Sequence, residues 1–406
     1  MPASKHANEA TGAGITLTLC ALAALLEGFD TQSMGVAAPQ MLPEFGVSAA
    51  QSGLLFSAST FGLFLGAAVG GRVADHLGRK RTLTVSLLLF GLCSLLTSAA
   101  AGVESLLIAR VLTGLGLGGA MPNFIALSSE AVPPERRIST VSIVMAGMPM
   151  GGALAGLMAL GERLGWSWRW IFYVGGTAPI LLALIMMRWL PPSAVLDHDT
   201  QRSGPPRVVG VATVLFGTPR AATTILLWTG FFFTQLVLLL MLNWLPSLII
   251  GLGFSRHEAS WASVCFNVSG ALGACVLGRL HAGARRRQWV VATYGGMAVT
   301  LATLALVGKL FALVALVSAL AGVFIVGAQL ILFALAPLYY ASAMRCTGVG
   351  AAVATGRLGA VVGPLFAGAL LAGGGDSAAV LLAIIPFVAV AGAAALALTW
   401  REQCRD

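Results

Sequence analysis

The chain has 406 residues, of which 58% are hydrophobic and only 10% charged, whereas about a quarter of the residues in soluble domains are charged. That balance excludes an ordinary soluble enzyme and indicates an all-α integral membrane protein. The net charge of +9 does not point to nucleic acid, because the basic residues fall in short clusters between apolar segments and form no basic-aromatic surface.

The apolar pattern predicts twelve transmembrane helices in two pseudo-symmetric six-helix halves. The first six spans cover 15–38, 50–74, 81–100, 105–129, 138–160 and 169–189. Each is long enough to cross a hydrocarbon core, which takes roughly 20 residues at 1.5 Å rise. A Pro-, Arg- and Ser-rich stretch from Pro191 to Pro219 then reads as a linker. Six further spans follow at 222–245, 257–280, 288–308, 310–337, 347–372 and 377–399. The domains are therefore residues 1–190, a cytoplasmic linker over 191–220, and residues 221–406. The polar N-terminus leads directly into a full-length span, so no cleavable signal peptide is expected. The six cysteines form no CxxC pair and read as small buried hydrophobes.

Most of the 24 basic residues fall on one side if both termini are cytoplasmic, leaving Arg163, Arg169, Arg256 and Lys309 on the other and Arg110 and Arg357 inside spans. The halves repeat internally. Gly71–Arg81 joins spans 2 and 3, and Gly278–Arg287 holds the matching place between spans 8 and 9. Gly151–Gly156 in span 5 echoes Gly363–Gly368 in span 11. Such repeats accompany a substrate site near the midplane, around which the halves rock.

Ionisable residues inside spans are functional-site candidates, because a charge at membrane depth costs at least several kcal/mol. Glu27 and Asp30 sit three apart in span 1 and share one helix face, with Gly28 between them for close approach of a helix or ligand. By residue count Asp30 and Arg110 lie at similar depth and can pair. The pair suits proton coupling: beside Arg110 the carboxylate stays ionised, and separation favours uptake of a proton. Glu27 is close enough to titrate jointly with Asp30. The alternative is a static ion pair that sets helix packing. Arg357, about twelve residues into span 11, lies near the midplane, where its planar fork suits a substrate carboxylate. The alternative there is pairing with Glu27 or Asp30.

Phe29, Trp228, Phe232, Asn243, Gln329 and Tyr339 are candidates to wall and orient an aromatic ring. Trp244 reads as part of the interfacial aromatic belt. At the cytoplasmic ends of helices, Asp75, Arg79, Lys80, Glu130, Arg137 and Arg345 form a candidate inner gate, with Glu130 beside Arg136 and Arg137. Lys80 and Arg81 read equally well as topology charges. The glycines of span 4 and the Gly147–Gly156 run read as packing faces. No nucleophile–base set, metal-ligand cluster or phosphate-cradling loop is present, so no enzyme, cofactor, metal or ATP-driven transport is expected.

Gly71-x-x-x-Asp75-x-x-Gly78-Arg79-Lys80-Arg81 resembles the signature loop of the major facilitator superfamily. Within it, Glu27-Gly28-Phe29-Asp30, Arg345-x-Thr347-Gly348, Arg357-x-Gly359-Ala360 and Gly363-Pro364 are similar to the aromatic acid:proton symporters. Asn243-Trp244-Leu245-Pro246 and Leu335-Ala336-Pro337-Leu338-Tyr339 look most like the branch that imports hydroxyphenylpropionate. Three positions depart from that pattern: Glu27 replaces the commoner Asp, Pro192 stands where an acid is frequent, and His281 takes the place of the second-half acid. The resemblance implies a monomeric, proton-coupled importer of aromatic carboxylates in a bacterial inner membrane, in which Asp75 closes the inner gate against the eleventh helix. The alternative is proton-driven drug efflux, since Gly147-Met148-Pro149-Met150-Gly151 loosely resembles an antiporter signature.

Overall fold

The computed structural model describes residues 2–133, 136–190, 215–217, 221–281, 285–340 and 345–403; side chains at 2–11, 72, 75, 138, 274, 275, 278–281, 334, 345, 346 and 401–403 lie outside the description. Most of the linker expected at 191–220 therefore falls outside the described residues. Most of the described residues are helical. In chain order the helices are α1 (Pro2–Glu44), α2 (Ala49–Leu77), α3 (Arg79–Ser98), α4 (Val103–Glu130), α5 (Arg137–Met145), α6 (Gly147–Ala159), α7 (Arg169–Trp189), α8 (Ala221–Gly251), α9 (Arg256–His281), α10 (Arg286–Leu306), α11 (Phe311–Leu335), α12 (Arg345–Ala372), α13 (Ser377–Ala383) and α14 (Ile385–Gln403).

Eleven spans among the described residues are long and apolar enough to cross a membrane. The 26-residue α9 occupies the place of the remaining expected one. The twelve-span architecture accounts for the fourteen α-helices named among the described residues because two spans are broken. Pro149 has no N–H to donate to Met145, and the fifth span divides into α5 and α6. Pro386 does the same in the twelfth, which divides into α13 and α14.

Caps and glycines set the other ends. Ser48 and Gln51 form a reciprocal capping box before α2 (3.0 and 3.3 Å), and Ser255 and Glu258 do so before α9 (2.8 and 3.3 Å). Gly78, at φ 84°, makes the left-handed joint between α2 and α3 that a side chain would strain.

Burial is inverted relative to a soluble protein. Ile108, Leu272 and Val299 are exposed, as lipid-facing residues are, while Glu27, Asp30 and Arg110 are at most 1% exposed. Cys20 and Cys93 are buried and free.

The chain divides into two compact units, residues 1–45 with 58–205, and residues 46–57 with 206–406. The short stretch 46–57, counted by sequence with the first half, thus groups with the second. In the first unit α1 lies directly on α6: a Cβ on Gly28 would fall on the Met148 carbonyl, and one on Gly151 would fall on the Leu25 carbonyl. In the second unit α8 lies on α12 in the same manner, with Gly359 against the Phe232 carbonyl and Gly363 against that of Leu236. Lipid offers no hydrophobic drive for helix association, so close backbone packing at small residues takes its place. Gly28 therefore serves a neighbouring helix.

Trp244 departs from its expected place in the interfacial belt. It is 3% exposed, its ring meets Phe56 edge-on at 4.9 Å, and its indole N–H donates to the Pro364 carbonyl at 3.1 Å. An indole with a partner for its N–H is stable when buried.

Candidate functional site

In the first unit the buried charges meet. Asp30 on α1 and Arg110 on α4 form a two-pronged pair, Arg110 donating to the two carboxylate oxygens at 3.1 and 2.8 Å. Ser94 on α3 donates to the same carboxylate at 3.3 Å. Both charged side chains are at most 1% exposed. The Phe172 ring of α7 stands 5.7 Å from the guanidinium carbon, in cation–π range. Four helices thus converge on one ion pair. Glu27, three residues before Asp30, is also buried. A charge pair this far from water is held by the one-to-one match of the two terminal guanidinium nitrogens with the two carboxylate oxygens, while Arg110 Nε has no hydrogen-bond partner among the described residues.

Phe29 turns its ring onto Gly175 of α7, where a Cβ would stand 3.0 Å from it. That is packing inside the first unit; the expected role as a substrate wall gains nothing from this placement.

Phe172 leads outward. Its ring meets Trp168 at 5.7 Å, and the Trp168 indole N–H donates to Glu44 at 2.7 Å. Arg169 pairs with the same carboxylate at 2.7 Å and lies over the Trp168 ring at 4.5 Å. Sequence reasoning ended the first span at 38 and missed this clamp. The helix continues to Glu44, and only the partner at Arg169 explains why an acid ends it.

At the other end of the unit, Arg79 pairs with Glu130. The sequence set Glu130 beside Arg136 and Arg137; the described pair is instead with Arg79, and Arg137 is exposed. Lys80 donates to the Met187 carbonyl at 3.1 Å and to that of Leu190, closing the C-terminal end of α7 as a cation does at that pole. The side chains of Asp75 and Arg345 lie outside the described residues.

In the second unit Arg357 is half-buried on α12, one residue beyond Gly356, which rests on Gln235 and Phe231 of α8. Gln329 on α11 is 6% exposed. Neither of its amide atoms has a hydrogen-bond partner among the described residues, and the indole N–H of Trp228 has none either. Phe232 is half-buried and meets Phe233 edge-on at 5.1 Å. Asn243 donates back to Leu239 of its own helix at 2.8 Å. The Tyr339 hydroxyl donates to the Leu398 carbonyl at 2.6 Å. The described polar contacts of these last two thus run to helix backbone. Gln235 went unremarked in the sequence, although a glutamine within the apolar run of α8 is the signal that singled out Gln329.

Among the described residues no three His, Cys, Asp or Glu side chains gather in a metal-binding group. Among the described residues the first unit offers a buried acid–base pair, and the second an arginine one residue from the Gly356 contact with Gln235.

The family model described as Major Facilitator Superfamily matches residues 20–256. The chain belongs to the major facilitator superfamily. Relatives within it include the 3-(3-hydroxy-phenyl)propionate transporter of Escherichia coli, 43% identical over 97% of this chain and 96% of that protein. The 4-hydroxybenzoate transporter of Pseudomonas aeruginosa is 32% identical over 93% of this chain and 90% of its own. A bacterial homolog of the human lysosomal transporter Spinster, solved in an inward-facing and occupied conformation, matches with a TM-score of 0.77 at 19% identity, covering 95% of this chain and 96% of that one. At that identity the likeness speaks for the superfamily fold alone.

Proposed function

We propose that the protein imports aromatic carboxylates, of which 3-(3-hydroxyphenyl)propionate is the type, together with one or more protons by alternating access. The observation that carries the coupling is the buried two-pronged pair of Asp30 and Arg110. Such a pair is stable only while intact. A conformational change that parts it therefore favours protonation of the carboxylate, and binding of proton and substrate to the same conformations makes each raise the other's affinity. Glu27, one turn away, shares that titration. Arg357 takes the substrate carboxylate through its planar fork. The aromatic acids for which the relatives are named support this class of substrate.

The six-helix halves 1–190 and 221–406 are the moving bodies, joined through 191–220. Asp75, Arg79, Lys80, Glu130, Arg137 and Arg345 line the inner gate. The protein works as a monomer in a bacterial inner membrane with both termini cytoplasmic, the side that carries most of the basic residues. Drug efflux is the weaker reading, because a hydrophobic cation gains nothing from Arg357.

The test is accumulation of labelled 3-(3-hydroxyphenyl)propionate in proteoliposomes under an imposed inward proton gradient, challenged with phenylpropionates, benzoates and hydroxybenzoates. Accumulation abolished by a protonophore supports the reading. Absence of uptake, or efflux of cations in its place, ends it.

A further inference from the structure

We propose that Gln235 and Gln329 form a subsite for the ring hydroxyl of a hydroxylated aromatic acid, an inference that rests on the substrate class proposed above. The two residues lie on α8 and α11, the seventh and tenth spans, which cross the bilayer in opposite directions. Phe231 and Phe333 bring these helices together at a ring separation of 5.3 Å, and Gly230 rests on Leu332 beside them. Gln235 is four residues on from Phe231, and Gln329 four back from Phe333. In antiparallel helices both steps move about 6 Å the same way and return to the contacting face. The glutamines therefore stand at one level.

Each is 6% exposed. The Gln235 amide oxygen and both amide atoms of Gln329 have no hydrogen-bond partner among the described residues, so the side chains do not bond to one another. Buried amide atoms are ordinarily satisfied, and three left open at one level mark a place where a polar ligand group fits. The third wall comes from α12. Gly356 rests on Gln235, where a Cβ would stand 3.1 Å from Cγ, and the next residue is Arg357.

The chemistry of the open atoms selects the ligand group. They are two acceptor oxygens and one amide donor. A carboxylate, which only accepts, meets repulsion from both oxygens. A hydroxyl donates its O–H to one oxygen and accepts from the amide N–H. Carboxylate at Arg357 and hydroxyl at the glutamines give the substrate a fixed orientation.

The experiment compares 3-(3-hydroxyphenyl)propionate with 3-phenylpropionate, the same acid without the hydroxyl, in uptake by wild type, Gln235→Leu and Gln329→Leu in proteoliposomes. Wild type should prefer the hydroxylated acid by at least about 100-fold, since a site built to hydrogen-bond a hydroxyl rejects the analogue that lacks it. Each variant should bring the ratio near one by losing the hydroxylated acid and keeping the other, and Gln329→Leu should do so with no fall in thermal midpoint because leucine there removes an amide without partners among the described residues. A preference that survives in both variants overturns the subsite, as does a wild type without preference. Equal loss of both acids with a lowered midpoint makes the glutamines structural, overturning the subsite while aromatic acid transport stands. A wild type that moves neither acid overturns the proposed function and the subsite together.

Discussion

Asp30→Asn separates a working ion pair from a structural one. The substitution preserves shape, and the remaining carbonyl oxygen still accepts one hydrogen bond from Arg110 or Ser94. It leaves the guanidinium, at most 1% exposed, without its counter-charge. Removing one partner of a buried pair costs about 3–5 kcal/mol; with one hydrogen bond retained, the lower figure applies. Replacing both partners, as in Asp30→Asn with Arg110→Gln, removes the stranded charge and should return stability to within about 1 kcal/mol of wild type. Denaturant unfolding in detergent measures both. The transport assay should part company with stability: both variants exchange labelled for unlabelled acid across the membrane, and neither accumulates it against a gradient. If the double variant regains proton-driven accumulation along with stability, the pair is a packing device and the coupling argument fails.

Four further outcomes follow from the geometry. Arg357→Gln should lower apparent substrate affinity by about 10–100-fold, the worth of a charge-assisted hydrogen bond at about 1.5–3 kcal/mol, with unchanged protein in the membrane; normal uptake removes its binding role. Gly151→Val places a side chain on the Leu25 carbonyl, so at least about 1–3 kcal/mol of overpacking should show as a smaller monodisperse peak in size-exclusion chromatography. Trp244→Phe loses the bond to Pro364 and should lower unfolding stability by about 1 kcal/mol, leaving substrate competition unaltered. Glu44→Gln touches a pair whose members are 32% and 43% exposed; it should change stability by less than about 1 kcal/mol and keep uptake measurable.

The spans were legible because lipid imposes length and polarity together: about 20 apolar residues with few charges leave little freedom in where helices lie. The exceptions in those runs, Glu27, Asp30, Arg110 and Arg357, were legible for the same reason. What the sequence concealed was contact. Phe172 and Ser94 are ordinary residues of their helices, and only the folded chain puts them around the Asp30–Arg110 pair. Composition cannot show that the Tyr339 hydroxyl reaches Leu398 or that the Asn243 amide turns back on its own helix. Trp244 was misjudged for a related reason: a tryptophan near a span end suits the interface, unless a carbonyl inside the unit takes its N–H.

The partners Asp30 and Arg110 are 80 positions apart in the chain. At about 5–20 residues per second, a ribosome needs roughly 4–16 s to make that stretch. Through the later part of this interval the first helix is clear of the exit tunnel with Glu27 and Asp30 while the cation of Asp30 is still unmade. The nascent segment must be shielded by the insertion machinery or carry its acids protonated, and α4 delivers on arrival the charge that lets α1 settle.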